Sequence, residues 1–135
     1  MSATKQIRHN VRFNAKPRAI YDALMVSKKH SAFTGAPAKI DPKVGGRIST
    51  WGPHIRGINI ELIKNKRIVQ AWRAQNWPKG HYSIATFELG PIKSGTHLIF
   101  THVGIPAKNA NGINQGWKPH YWQPLKNLLE EMKRV

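Results

Sequence analysis

The segment that decides the fold is Gly116–Val135, GWKPHYWQPLKNLLEEMKRV. Trp117, Tyr121, Leu125, Leu128 and Met132 recur at the spacing that gathers side chains on one face of an α-helix. Trp122 and Leu129 widen that face into a stripe suited to lying on a sheet. Pro119 and Pro124 interrupt the period, because proline lacks the amide donor and crowds the preceding turn. The spacing therefore predicts a break or a first-turn proline near 119 and a regular helix from about residue 120, with Pro124 in its first turns or at a kink. Leu125 to Met132 is expected to be plain core.

Working outward from this helix, the rest of the chain reads mostly as strands and turns. Residues 7 to 13 alternate, with Ile7, His9, Val11 and Phe13 on one face and Arg8, Asn10 and Arg12 on the other. Pro17 suits the first turn of a short helix over 17–25. Ser27 is placed to cap a second helix through Phe33, and Gly35 to end it. A short extended piece, 38–41, leads through the Gly45–Gly46 turn into a strand over 47–51. Residues 56–63 and 68–73 read as a hairpin across Lys64–Lys66, with Ile58, Ile60 and Leu62 on one face and Asn59 and Glu61 on the other. NWPKG, 76–80, is a loop. Residues 82–89 and 96–104 form a second hairpin, and Ile105–Gly116 reads as a polar connector rich in Asn and Gly. Short turns favour sequential antiparallel pairing. The expected fold is α+β: a curved antiparallel sheet of six to seven strands, two short helices, and a long C-terminal helix covering the apolar face.

The chain has 135 residues, which suits one domain spanning 1–135. No apolar run is long enough to span a membrane, and the N-terminus lacks the apolar core of a signal peptide. The absence of cysteine excludes disulfides, thiolate metal sites and a cysteine nucleophile, and fits a cytoplasmic location. Twenty-two Lys and Arg face six acids, for a net charge of +16. Such a balance attracts acidic proteins, anionic lipid and nucleic acid. The cations are spread along the chain rather than clustered, which weighs against a dedicated nucleic-acid patch.

Six motifs then become familiar in order: AxxxxxYDAL at 15–24, AFTGAPA at 32–38, VGGR at 44–47, VxAWRxxxWPxGHYS at 69–83, GTxLxFTHxGIP at 95–106, and QGW from Gln115. In these the chain resembles the SRPBCC, or START-like helix-grip, superfamily. Within it the chain resembles the C-terminal domain of the activator of heat shock protein 90 ATPase. The resemblance implies a helix-grip fold and a non-enzymatic binding module for a heat shock protein 90-type chaperone or another acidic protein. Relatives in the superfamily that bind lipids, hormones or polyketides imply an alternative, a carrier of a small hydrophobic ligand. Cyclases in the superfamily imply a further one, an enzyme with a polar pair including His102 or Tyr121.

In the helix-grip fold that the resemblance implies, Phe33, Trp51, Trp72, Tyr82, Phe100, His102, Trp117 and Tyr121 are the candidate lining of a cavity between sheet and helix, with the aromatic end, Trp117 to Trp122, expected at its mouth. The same rings also suit an ordinary core. Trp77, with Lys79, Lys108 and Lys118, is the candidate partner surface. No HxH or HExxH spacing occurs, so no metal site or cofactor is expected, and no catalytic residue is assigned.

Overall fold

A computed structural model describes residues 3–133, the Lys133 side chain excepted, so the last two residues of the C-terminal segment lie outside the described residues. The elements run β1 (Thr4–Phe13), α1 (Pro17–Met25), α2 (Ser27–Thr34), β2 (Lys39–Ile40), β3 (Arg47–Thr50), β4 (Ile55–Ile63), β5 (Arg67–Ala74), β6 (Ser83–Ile92), β7 (Gly95–Pro106), α3 (Ala107–Trp117), a π-helical turn (Lys118–Trp122) and α4 (Gln123–Lys133). Seven strands form one antiparallel sheet in the order β1-β7-β6-β5-β4-β3-β2. Six strands are thus a meander, and β1 closes on its far side against β7. The helices lie over the face that carries Phe87, Leu98, Phe100 and Trp72, which is the α+β helix-grip arrangement.

The final helix departs from the expected form. Residues 107–117 are helical rather than a polar connector. Their Asn and Gly content disfavours helix, each glycine by about 1 kcal/mol. Ala110, Ile113 and Trp117 nevertheless fall on one face and pack on the core. Trp117, Tyr121, Trp122, Leu125 and Leu129 extend that buried stripe. Each such side chain contributes about 1.5–3 kcal/mol on burial, so packing outweighs propensity. Pro119 and Pro124 do not break the helix. It widens instead: the Gln123 amide bonds back to the Lys118 carbonyl, the five-residue step of a π turn. The extra residue brings both Tyr121 and Trp122 to the buried side. Met132, expected in the core, is about half exposed at 49%.

β4 also departs from simple alternation. Asn59 is buried and Ile58 and Ile60 are exposed, and a bulge between Asn59 and Glu61 returns Leu62 to the core side. Asn59 is buried because it is fully engaged. Its Nδ2 donates to the carbonyls of Asp41 (2.8 Å) and Lys43 (3.2 Å), and its Oδ1 accepts from Gln70 Nε2 at 3.1 Å. This network holds the 41–46 turn against the sheet. Gly57 lies where a Cβ would meet the Ala71 carbonyl at 2.0 Å, so the two strands approach there as no larger residue allows. Ser27 does not cap α2; it brackets β2 by accepting from the Ile40 amide (2.8 Å) and donating to the Ile40 carbonyl (3.3 Å).

Candidate functional site

Between α3, the π turn and the turn after β3 lies an open cavity of about 460 Å³. Its walls are aromatic. Trp117 and Tyr121 come from the helix, Trp72 from β5, and Trp51 from the end of β3. Trp117 and Tyr121 pack at 4.4 Å, Trp72 and Trp117 at 6.1 Å, and Trp51 meets Tyr121 edge-on at 6.2 Å. Ile55 and Ile113 add aliphatic surface, and His54 and His120 stand at the exposed rim. Trp51 holds a left-handed backbone, with φ 56°, rare for a bulky residue and a strain that turns its ring toward the helix.

The volume exists because α3 has glycine at 112 and 116. Both line the cavity, and a Cβ at Gly112 would meet nothing within 4 Å. Neither has a positive φ that would require glycine. A narrower, closed space of about 10 Å³ lies behind Trp72, Trp117 and Tyr121, at the lower limit for one water. His30 and Thr50 line it, and their buried Nδ1 and Oγ1 atoms have no protein partner. Burial pushes the Tyr121 phenol up to about 12.

Of the expected cavity residues, Trp51, Trp72, Trp117 and Tyr121 are brought together at this opening. Phe33, Phe100 and His102 form the packed layer behind it. Phe33 lies against His30 and Tyr121, and Phe100 against Trp117 at 4.3 Å. Tyr82 is a correction. It is 50% exposed on the opposite side of the sheet, beneath the Arg73 guanidinium, because Ser83 and Ala85 take the inward positions of β6. Trp77 is a second correction. Expected as an exposed partner contact, it is 4% exposed and packed on Trp72 at 5.3 Å. Arg73 donates to the carbonyls of Trp77, Pro78 and His81, which folds the WPKG loop back onto the sheet. Lys79 in the WPKG loop, Lys108 in α3 and Lys118 in the π turn are exposed. Reading 105–116 as a connector hid Gly112, Ile113 and Gly116; the glycine pair at helical spacing was the available signal.

His102 is fully buried in contact with Ser83, Nε2 to Oγ at 2.6 Å. The pair has the form of a nucleophile and its base. Its proton placement is different. The Ser83 hydroxyl donates to the Trp72 carbonyl (3.1 Å), so His102 Nε2–H donates to Ser83 and the buried Nδ1 is left without a partner. Burial pushes the imidazole down to about 3. Trp72 and Trp117 pack over it, edge-on at 4.8 and 5.9 Å. This pair is a buried structural link rather than a site open to substrate. Among the described residues, no cluster of three His, Asp or Glu could hold a metal ion, and no helix is long and apolar enough to cross a membrane.

The family model described as activator of Hsp90 ATPase homolog 1-like protein matches residues 14–130. The chain belongs to this family. It is 30% identical over 117 residues to the human activator of 90 kDa heat shock protein ATPase homolog 1, covering 87% of this chain and 35% of that protein. A similarly named protein of Dictyostelium discoideum is 30% identical over 98% of this chain and 33% of its own. The chain spans about a third of the length of the curated relatives it matches. Among solved structures, an HSP90 activator from Plasmodium falciparum superposes with a TM-score of 0.83 at 25% identity, covering 94% of this chain and 96% of that one. A protein from Mesorhizobium loti superposes at 0.81 with 21% identity, over 94% and 98% of the two chains, and shares the fold.

Proposed function

We propose that this chain is a non-enzymatic binding module that engages a heat shock protein 90-type chaperone. The family match over residues 14–130, to proteins named as activators of that ATPase, carries the reading. The net charge of +16 supports it, since a basic surface accelerates encounter with an acidic partner. The test is a chaperone ATPase assay with a binding measurement at low salt. Binding with an altered ATP turnover is expected; no binding and an unchanged rate would sink the reading.

A second reading is favoured by the 460 Å³ aromatic cavity, which suits a small apolar or aromatic ligand. Its lining offers contact area and rim imidazoles, and none of the described lining residues is a carboxylate. A ligand that binds there raises the melting temperature, since native-state binding adds to stability. A thermal-shift screen of aromatic and aliphatic compounds that left the melting temperature unmoved would count against a carrier role.

A further inference from the structure

The sheet order leaves β1 with one strand neighbour. Beyond the ladder to β7, no main-chain hydrogen bond of Thr4–Phe13 to another backbone group is found among the described residues. Amide and carbonyl groups on such an outer edge are a template for another strand. Alongside it runs the helical layer, and the two enclose a groove of about 640 Å³. Five consecutive residues, Arg8 to Arg12, form one wall, so the groove follows the strand edge rather than one face. Asn114, Lys118, Trp122 and Lys126 form the other.

Four cations, Arg8, Arg12, Lys118 and Lys126, line this groove, and all are exposed. None of the described lining residues is acidic, and none of the four takes part in an ion pair among the described residues. The walls are fixed to each other. Trp122 Nε1 donates to His9 Nδ1 at 2.9 Å, so the His9 proton is on Nε2 and is donated to Asn114 Oδ1 at 2.7 Å. Lys126 is held over the Phe13 ring at 5.9 Å. Like charges gathered without counter-charges repel one another, and an entering carboxylate relieves that repulsion.

We propose that this groove docks an extended, acidic segment of a partner protein, which pairs with the β1 edge and sets carboxylates against Arg8, Arg12, Lys118 and Lys126. Charge decides against a second copy, which would carry the same +16. The chemistry also favours peptide over nucleic acid. Only a peptide continues the ladder, and the groove's indole is buried with its N–H already donated, so it offers no stacking face. Five strand residues span about 17 Å, so about five residues of the partner are read. The assignment rests on the reading of the chain as a binding module and names the face it uses, but its test needs no chaperone, so the two fail separately.

The probe is a fluorescein-labelled peptide of alternating glutamate and valine, titrated with the full chain by fluorescence anisotropy at low salt. R8E/R12E and K118E/K126E should each weaken binding by roughly tenfold or more. K64E/K93E, the same charge change placed in the β4–β5 and β6–β7 turns, should weaken it by less than about threefold. Circular dichroism establishes that each variant is folded. A peptide of equal charge, N-methylated at one amide on each edge, should bind more weakly because it cannot pair with β1. Equal losses from groove and turn variants would overturn the site. Undiminished binding of the methylated peptide, or tighter binding of a single-stranded oligothymidine of equal charge, would overturn the strand-pairing peptide as its occupant.

Discussion

His30 and His102 are each buried among aromatic rings with an unpartnered Nδ1. Burial alone pushes them down, His30 to about 4 and His102 to about 3, from an ordinary 6.5. Both are therefore neutral in the fold, and the unfolded chain takes up the protons they refuse. Their contribution to stability is intact above 6.5 and is lost as the pH falls from there toward the folded values, each at about 1.4 kcal/mol per pH unit. Urea unfolding from pH 7.5 to 4.5 should show this decline, and H102Q should have a slope shallower by about one proton. A slope untouched by the substitution would contradict the role given to His102. At this scale the sequence was only partly legible. The inward face of His102 followed from alternation with Leu98 and Phe100. The burial of Asn59 did not, because its partners are carbonyls of a turn distant in sequence. Trp77 was misread for the same kind of reason: three bonds from Arg73, invisible in the local pattern, fold its loop inward.

At the scale of elements, α3 has glycines at two positions where nothing in the fold excludes a methyl group. G112A and G116A should each strengthen the helix by about 1 kcal/mol and raise the melting temperature by a few degrees. The same methyl groups enter the cavity, so both variants should bind the apolar dye 1-anilinonaphthalene-8-sulfonate less tightly than the parent. Unchanged dye affinity would mean that the cavity is not where the dye enters. The strands, the two short helices and the regular Leu125–Leu129 part of the last helix were readable because period and turn chemistry agree there. The extension through 107–117 was not, since its Asn and Gly residues oppose helix locally and only packing of Ala110, Ile113 and Trp117 overrides them. The bulge in β4 was hidden likewise: Ile58, Ile60 and Leu62 alternate perfectly in sequence, yet the extra residue separates Leu62 from the other two.

For the whole molecule, the excess of sixteen positive charges acts on the compact state through self-repulsion. Melting temperature should therefore rise as sodium chloride is increased from about 20 to 300 mM, over which screening shortens to less than 10 Å. A flat response would mean that counter-charges already balance the surface. The family was legible at this scale because six separate motifs occur in one order along the chain. The acidic-segment groove was not, because its walls are more than a hundred residues apart and meet only through the β1–β7 pairing and the His9 link to Trp122 and Asn114. That pairing also sets an order on synthesis. β1 leaves the ribosome ahead of the other described elements of this fold, yet its strand partner follows about ninety residues later, a delay of roughly 5–20 s at ordinary elongation rates. The six-strand meander can zip up as it emerges, while the basic first strand stays open until the last one arrives. A nascent chain halted before residue 95 thus presents β1 without its partner, and that interval is when it is most open to capture by other proteins.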